Sequence, residues 1–367
     1  MKIKTKATER WVSRVLGRGT SDAHLSLFSA RLRMLSVFLI SAILLVPSAL
    51  IGCTPAASTE SESSGSGAQS AESSDPISKK VVIGTMATED ILPMWVAEAE
   101  DIFAEQNLDA TIETFQSAQE LSTAVVSGAV DIAMTDIMVS ATLAAAGTPV
   151  TMEWVTLGVS AQQGRMGIMT SPESGITSLK DLAGVPIGVG SCTVLEYVMD
   201  NLLLEAGLTE DQIVSEEIKK VPVRFELMSS NQVAAAVLPG SYLALGEATG
   251  MKLLADDSSG TNLSQSVMIV RSDFSRTTAG IAIGESLARV WDTAVERINA
   301  DPEAYRSLLI EKAQLSDLVK DSYVISVYPK TQRPNAGLVT PVLDWMYKKG
   351  YLETELIYDY STGSFKT

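Results

Sequence analysis

Residues 119–157, QELSTAVVSGAVDIAMTDIMVSATLAAAGTPVTMEWVTL, change hydrophobic period three times. Stretches with helical spacing alternate with short apolar runs bounded by Gly, Pro or Asp, which are typical of buried strands. The predicted order is helix, strand, helix and strand, over Gln119–Val126, Asp131–Met134, Ile137–Ala146 and Val150–Leu157. This alternation is typical of βαβ units, whose parallel strands form a sheet covered by helices.

The same alternation continues on both sides of this stretch. Before it, strands are predicted at Val81–Gly84 and Ala110–Phe115, with a helix at Leu92–Glu105 between them. A second α/β run begins at Leu179, and mostly helical sequence follows residue 270. The later strands are predicted at Met166–Thr170, Val185–Val189, Ile218–Val223, Val237–Leu238, Lys252–Ala255 and Ser266–Val270, and the later helices at Thr193–Ala206, Phe225–Ala236, Ser241–Ala248, Ile281–Asn299, Pro302–Lys312 and Leu338–Gly350.

The amino-terminal part of the chain has the organisation of a secretory leader. A basic stretch precedes an apolar run, Leu35–Ile51, which ends in Leu50-Ile51-Gly52-Cys53. A short apolar segment closed by a small residue is typical of a signal peptide, and a Cys directly after it resembles the lipobox of bacterial lipoproteins. That resemblance implies cleavage before Cys53 and a diacylglycerol on its thiol. The alternative is an uncleaved membrane helix, but the apolar run has only about 17 residues and is interrupted by Pro47, which is at the short limit for a membrane span.

The charge of the chain divides at the same place. Its formal net charge is -16, but the first 53 residues hold eight Lys and Arg against two Asp and Glu. The remainder therefore holds 20 basic against 42 acidic residues. Residues 54–75 are rich in Ser, Gly, Ala and Glu and predict a flexible tether. An acidic globular part argues against nucleic acid as a partner.

Two residue types are almost missing after the leader. The one His of the chain is His24, so the part after Cys53 has none. Its absence excludes His-dependent acid–base chemistry, Ser-His and Cys-His nucleophiles and His-ligated zinc. Cys192 is the one Cys after Cys53, so no internal disulfide is expected. We expect no cofactor and no metal site.

Two predicted helices open with the pattern of a capping box directly after a strand. Ser117-x-x-Glu120 follows Gln116, and Thr193-x-x-Glu196 follows the segment from Gly190 through Ser191. Each helix start would present free N–H groups at the carboxyl edge of a sheet, where open α/β sheets bind ligands. Capping boxes most often only begin helices, and both acidic residues would oppose a multiply charged anion.

Other polar and aromatic residues follow the remaining strands. Arg224 would follow a strand and pair with a carboxylate or sulfonate, or alternatively form an ion pair of the protein. Asp136 would cap the next helix, or else contact an amine or hydroxyl of a ligand. The other candidates at strand ends or helix starts are Thr85, Met86, Thr135, Pro239 and Tyr242.

Five sequence segments carry a resemblance to the solute-binding proteins of ABC importers. Their residues resemble motifs of the type 2 periplasmic-binding fold, such as Ser127-Gly128-Ala129-Val130-Asp131-Ile132-Ala133 and Asp181-Leu182-Ala183-Gly184, in the branch that includes nitrate, sulfonate, taurine and thiamine-precursor proteins. The segments are 83–98, 100–105, 124–133, 178–189 and 235–240. The thiamine-precursor branch contains an enzyme that depends on His, and no such activity is expected of this chain.

The resemblance implies two α/β lobes, each a mainly parallel sheet flanked by helices, with two hinge crossings. The expected organisation is a leader over 1–52, a lipidated Cys and tether over 53–78, lobe one over 79–170 plus 266–367, and lobe two over 171–265. The crossings are expected near Met166–Thr170 and Ser266–Val270. The resemblance also implies that the candidate residues above line a pocket between the lobes.

The implied function is capture of a small polar or anionic organic solute by closure of the lobes, without catalysis. The expected partners are an ABC permease with its ATPase and, through the lipid on Cys53, the extracytoplasmic face of a bacterial cell membrane; a monomer is expected. A ligand-sensing lipoprotein is one alternative. An enzyme using carboxylates such as Asp90, Asp136 and Glu196 is the other.

Replacement of the lipobox Cys tests the anchor. We expect Cys53→Ser to move the protein from the membrane to the soluble fraction, because the thiol that would carry the lipid is gone. Fractionation followed by immunoblotting measures the distribution. Retention of Cys53→Ser in the membrane would identify the apolar run as a transmembrane anchor.

Overall fold

The computed structural model describes residues 80–367, which form two five-stranded sheets and a carboxyl-terminal hairpin. The leader, Cys53 and the tether lie outside the described residues. In the first sheet the spatial order is β2-β1-β3-β10-β4, and β10 is antiparallel to both β3 and β4. The strands are β1 (Val81–Met86), β2 (Ala110–Phe115), β3 (Ile132–Asp136), β4 (Val150–Leu157) and β10 (Ser266–Arg271).

The second sheet repeats this pattern. Its order is β7-β6-β8-β5-β9, and β5 is antiparallel to both β8 and β9. The two sheets, each with helices against it, confirm the predicted α/β fold class. The strands are β5 (Met166–Thr170), β6 (Pro186–Val189), β7 (Val214–Glu217), β8 (Ala235–Pro239) and β9 (Lys252–Asp256); the hairpin is β11 (Ile357–Asp359) with β12 (Ser364–Lys366).

Eleven α-helices lie within the described residues, and short 3-10 turns precede or separate some of them. Gly128, at φ +78°, ends the helix that the sequence predicted to stop there. The helices are α1 (Leu92–Ala99), α2 (Ile102–Glu105), α3 (Ala118–Ser127), α4 (Ile137–Ala145), α5 (Val194–Glu205), α6 (Val221–Ser229), α7 (Gly240–Ala248), α8 (Ser272–Ser275), α9 (Thr278–Ala300), α10 (Arg306–Lys312) and α11 (Ala336–Lys348).

The predicted strand Ile218–Val223 is wrong. The strand of this region is β7, four residues earlier, and α6 begins at Val221. Pro222 lies in the first turn of α6, where a missing N–H leaves no helical hydrogen bond unmade. The apolar pair Val221 and Val223 suggested a strand, but Pro222 favours the start of a helix.

The apolar core has three clusters. One covers the outer face of the first sheet and packs α1 against α9, with Trp95 and Trp291 fully buried. A small cluster lies on one face of the second sheet, around Met169 and Leu243. The third contains residues of both sheets, such as Val267 and Ile187, and reaches α11 at Met346. Burial in this third cluster therefore joins the sheets and the carboxyl-terminal helix.

The chain passes between the sheets at residues 158–165 and 257–265. The sequence placed these crossings at Met166–Thr170 and Ser266–Val270, but those stretches are β5 and β10, paired within the second and the first sheet respectively. Residues 166–170, counted with lobe one, are thus a strand of the second sheet. These two runs form strands because they are apolar and are buried in the sheets, whereas the segments that cross between the sheets are polar and rich in Ser, Gln and Gly.

The two crossings touch each other. Asn262 Nδ2 donates a hydrogen bond of 2.6 Å to the carbonyl oxygen of Gly158. Gly158 has φ +91°, and a Cβ atom at this position would lie 1.9 Å from the carbonyl oxygen of Ser264. Only glycine therefore permits this approach without a shift of the backbone.

The contact between the crossings gives a stability prediction. Gly158→Ala should lower the free energy of unfolding by about 3 kcal/mol, since it combines a left-handed residue with a backbone clash. Urea unfolding followed by tryptophan fluorescence measures this. Gly250→Ala is the matched control, because Gly250 has φ +82° with no atom within 4 Å of its Cβ position; its cost should be about 1 kcal/mol. Equal losses in the two variants would contradict the argument from close approach.

Candidate ligand-binding site

The carboxyl ends of the parallel strands of the two sheets come together through the segments that follow them. Lys220, before α6, forms an ion pair of 2.9 Å with Glu120 of α3 and lies 3.4 Å from Gln116 Oε1. The hydroxyl of Thr142 in α4 lies 3.4 Å from the sulfur of Cys192. These contacts join the segments after β2 and β3 to those after β6 and β7.

Asp136 makes the most direct link between the sheets. It is the last residue of β3, and its Oδ1 accepts a hydrogen bond of 2.7 Å from the Val139 N–H in the first turn of α4. Its Oδ2 accepts one of 3.0 Å from the N–H of Val194, the first residue of α5. One buried carboxylate thus caps two helices that follow strands of different sheets.

The first predicted capping box is present with a small change. Ser117 Oγ accepts a hydrogen bond of 3.2 Å from the Glu120 N–H. The carboxylate of Glu120 reaches back to the N–H of Gln116, at 3.2 Å, instead of that of Ser117. Ser117 is buried, whereas Gln116 is exposed.

The second predicted capping box is wrong. The Thr193 hydroxyl donates to the Gly190 carbonyl at 2.7 Å and makes no cap for α5. The Glu196 carboxylate accepts from the N–H of Cys192, at 2.6 Å. Asp136 occupies the place that Thr193 was expected to fill, and a single sequence gives no sign of a cap supplied by another sheet.

Ser191 and Gly190 are held by neighbours in the second sheet. Both the N–H and the hydroxyl of Ser191 donate to Glu217 Oε2, the former at 3.0 Å. A Cβ atom on Gly190 would lie 3.2 Å from Arg224 Nη2. This loop is therefore packed closely against the end of β7 and against α6.

Arg224 lies inside α6, not after a strand as the sequence suggested. Its side chain is almost fully buried and donates to the carbonyl oxygens of Ile218, at 2.8 and 3.0 Å, and Val237, at 2.8 Å. Burial lowers the pKa of Arg224 to about 10, and the charge of Glu217 opposes this shift. The guanidinium ties α6 to the loop after β7 and to β8.

The remaining candidates lie where the sequence placed them, at strand ends and the start of α7. Thr85 and Thr135 are buried, and the Thr85 hydroxyl donates to the Met86 carbonyl at 3.0 Å. Pro239 ends β8 and precedes α7. The ring of Tyr242 lies 5.3 Å from that of Phe225, tilted by 52°, so its aromatic contact in this structure is with α6.

Sequence reasoning missed Glu89 and considered Asp90 only for an enzyme. The two form a 3-10 turn directly after β1 and are both buried. Tyr323 donates a hydrogen bond of 2.6 Å to Glu89 Oε1, and Ser266 Oγ donates to Asp90 Oδ2. An acidic pair followed immediately by Ile91 and Leu92, at the end of the first strand, is the sequence signal that indicates it.

Burial raises the pKa of these carboxyl groups. The pKa of Glu89 rises to about 7, first because of burial and then because of the neighbouring Asp90 charge, while the Tyr323 hydrogen bond opposes the shift. Burial also raises the pKa of Asp90. The pKa of Asp136 rises to about 6 for the same reason, although the N–H groups of Val139 and Val194 favour its ionised form.

A second polar network fixes α5 to the carboxyl-terminal segment. Lys349 forms ion pairs with Asp200 at 2.7 Å and with Glu196 at 3.1 Å. Trp345 Nε1 donates to Asp200 Oδ2 at 2.8 Å, and the hydroxyl of Tyr351 donates to Glu196 Oε2 at 2.7 Å. Both carboxylates thus have structural partners. Between residues 80 and 367, no group of three or more His, Cys, Asp and Glu is arranged to hold a metal ion.

The raised pKa values predict how stability depends on pH. Over about pH 4.5 to 7 the folded state binds protons at Glu89 and Asp136 more tightly than the unfolded chain does. Their stabilisation is complete below this window and is lost as the pH rises through it. We expect the free energy of unfolding to fall by about 2 to 3 kcal/mol between pH 5 and 7.5, from the Glu89 shift alone.

Variants isolate this contribution. Glu89→Gln should make the pH dependence of urea unfolding less steep, since Gln does not titrate and the contribution of Asp136 remains. Glu113→Gln removes the same charge from an exposed position of β2 and should keep the slope of the unaltered protein. Parallel slopes in all three proteins would contradict the assignment to Glu89.

Comparison with known proteins places this geometry in a known fold. The structure of the alkanesulfonate-binding protein SsuA from Xanthomonas axonopodis pv. citri, bound to MOPS, has a TM-score of 0.65 at 16% identity, covering 75% of this chain and 95% of that one. The periplasmic nitrate-binding protein NrtA from Synechocystis PCC 6803 has a TM-score of 0.59 at 10% identity, with 75% and 82% covered. A mutant of DszB in complex with biphenyl-2-sulfinic acid has a TM-score of 0.54 at 14% identity, with 75% and 94% covered. At these identities the similarity shows the periplasmic-binding-protein fold.

No curated protein matches the sequence. None of the helices between residues 80 and 367 combines the length and apolarity needed to cross a membrane. The model of the family described as NMT1/THI5 like matches residues 88–304. Since that match covers more than half of the 367 residues, the chain belongs to the NMT1/THI5-like family.

Proposed function

We propose that this protein is the membrane-anchored, extracytoplasmic solute-binding component of an ABC importer. It captures a small polar or anionic organic solute between its two sheets and delivers it to a permease driven by an ATPase. The family match and the fold of the sulfonate- and nitrate-binding proteins support this proposal. The solutes considered are a sulfonate and nitrate, which the structurally similar proteins are named for, and taurine and thiamine precursors, which the sequence resemblance implies.

The observation that carries the proposal is the shared cap of Asp136. Its two hydrogen bonds join helices that begin at the carboxyl edges of two different sheets, which is the edge where open α/β sheets bind ligands. A solute placed there touches both sheets only when they are together. Its binding therefore stabilises the closed arrangement over an open one.

The anchor and partners follow from the leader. In this proposal the lipid on Cys53 holds the protein at the extracytoplasmic face of the cell membrane. One acyl chain binds a membrane only weakly, so stable anchoring needs more than one. The closed monomer then docks on the permease.

Two other functions use the same fold. In a ligand-sensing lipoprotein, closure would signal to another membrane protein instead of releasing a solute. An enzyme would need a reactive group at the site, and the carboxylates of Asp136 and Glu196 are bound by backbone N–H groups and by structural partners. Import is therefore the function that we favour.

Ligand-driven closure is measurable by small-angle X-ray scattering. We expect the radius of gyration of a fragment spanning 79–367 to fall on addition of a binding solute, towards the value of about 19 Å of a compact chain of this length. A panel of sulfonates, nitrate, amino acids, pyrimidines and polyamines, first screened by thermal shift, supplies the solute. Binding without compaction would contradict closure, and turnover of the bound solute would support the enzyme.

A further inference from the structure

The acidic turn, defined as Glu89 and Asp90, lacks a positive partner in the part of the chain that the structure describes. Glu89 is 5% exposed and Asp90 is 9% exposed. Glu89 Oε2 is buried and has no hydrogen-bond partner. A buried carboxylate is costly unless it is paired or protonated.

The groups around the acidic turn do not neutralise it. The hydroxyls of Tyr323 and Tyr328 donate to Glu89 Oε1 and to its carbonyl oxygen, at 2.6 and 2.7 Å. Both tyrosines have pKa values raised well above the usual value, so they remain neutral donors. Arg165, whose carbonyl lies close to the same place, directs its guanidinium to Asp256 and Glu247.

The acidic turn faces the second sheet. It follows β1 of the first sheet, and a Cβ atom on Gly240 would lie 3.0 Å from Glu89 Oε1. Gly240 is the first residue of α7, which follows β8. The carboxylate therefore lies where the strand-end segments of both sheets meet.

An independent orphan group lies on the other side of this boundary. Ser241 is 5% exposed, and its hydroxyl is buried without a hydrogen-bond partner. It is adjacent to Gly240, the residue against which Glu89 packs. Two unsatisfied polar side chains thus flank the contact between Glu89 and Gly240, one in the turn that follows β1 and one in the first turn of α7, and buried polar groups normally have partners.

We propose that Glu89 and Asp90 bind a positively charged nitrogen group of the solute, such as an ammonium or a protonated ring amine, with the Ser241 hydroxyl as a further acceptor. This inference rests on the proposed function and specifies its solute. An N–H donor satisfies Glu89 Oε2, and its charge compensates the two buried acids. Among the described residues, no group of three or more His, Cys, Asp and Glu is arranged here to hold a metal ion.

The remainder of the boundary also disfavours a strongly anionic solute. The start of α5, which would attract an anion, is already occupied by the Asp136 carboxylate. Arg224, which packs beside Gly190 in the loop before this helix, donates to backbone carbonyls, and Lys349 is paired with Glu196 and Asp200. A sulfonate or carboxylate on the solute is compatible only as a second group on a molecule that also carries the amine.

Paired probes separate the amine from the rest of the solute. Isothermal titration calorimetry on the full lipidated chain in detergent compares taurine with isethionate, ethanolamine with ethylene glycol, and an aminomethylpyrimidine with its hydroxymethyl counterpart, with spermidine added. We expect at least one amine to bind, and its hydroxyl counterpart to bind at least about tenfold more weakly. Equal affinities within the pairs, or binding by no amine, would overturn the proposal.

Variants assign the effect to the acidic turn. Glu89→Gln and Asp90→Asn should each weaken binding of the amine at least about tenfold, while binding of the hydroxyl counterpart stays the same. Glu113→Gln, with the same change of charge at an exposed site, should bind as the unaltered protein does. Unchanged amine affinity in both turn variants would overturn the proposal.

The pH dependence of binding by the unaltered protein gives a test that needs no variant. Amine affinity should rise from pH 5.5 to 8, because burial and the charge of Asp90 raise the pKa of Glu89 to about 7. The pKa of Asp90 is also raised by burial, and the pKa values of Tyr323 and Tyr328 are raised well above the usual value, so both tyrosines stay neutral. A flat profile would overturn the proposal. If hydroxyl or anionic probes bind and compact the protein while the amines do not, the cation site fails and the transport function stands. If no probe binds, both fail.

Discussion

The Asp136 carboxylate is the contact on which the arrangement of the two sheets depends. Each helix begins with N–H groups that have no partner inside the helix, and a buried helix start needs an acceptor. Asp136 supplies that acceptor to α4 on its own chain segment and to α5 across the boundary. The position of α5 relative to the first sheet is therefore set by hydrogen bonds of defined length as well as by apolar contact.

Two further features hold α5 in this place. The third core cluster runs from the first sheet through the second to α11, and Lys349 joins α11 to two buried carboxylates of α5. Apolar contact of this kind is non-directional, whereas the ion pairs and the Asp136 cap have fixed geometry. Together they give an arrangement in which buried acids outnumber buried bases near the strand ends.

That imbalance connects stability with binding. Burial makes the ionised form of a carboxyl group unfavourable in free energy, and either a bound proton or a nearby cation removes that penalty. At low pH the proton removes it, and near neutral pH a positively charged solute takes the same role. This exchange applies to Glu89, because its pKa is raised to about 7 and its carboxylate lies against Gly240, which follows β8 of the second sheet.

The sequence by itself determined the α/β class, the alternation of elements, and the place of the candidate residues at strand ends, because hydrophobic period and glycine positions are local properties. It correctly predicted Ser117 as the cap of α3, but it mistook the cap of α5, placed the crossings on two strands, and left Glu89 unnoticed. Only the tertiary structure decided these points. The cap of α5 comes from another sheet. The crossings are identified by the strand pairing on either side of them. The burial of Glu89 without a cation depends on residues as distant in the chain as Tyr323 and Gly240. Contacts between residues far apart in the chain produce no hydrophobic periodicity in the sequence. The charge balance of the site is therefore visible only in the folded protein.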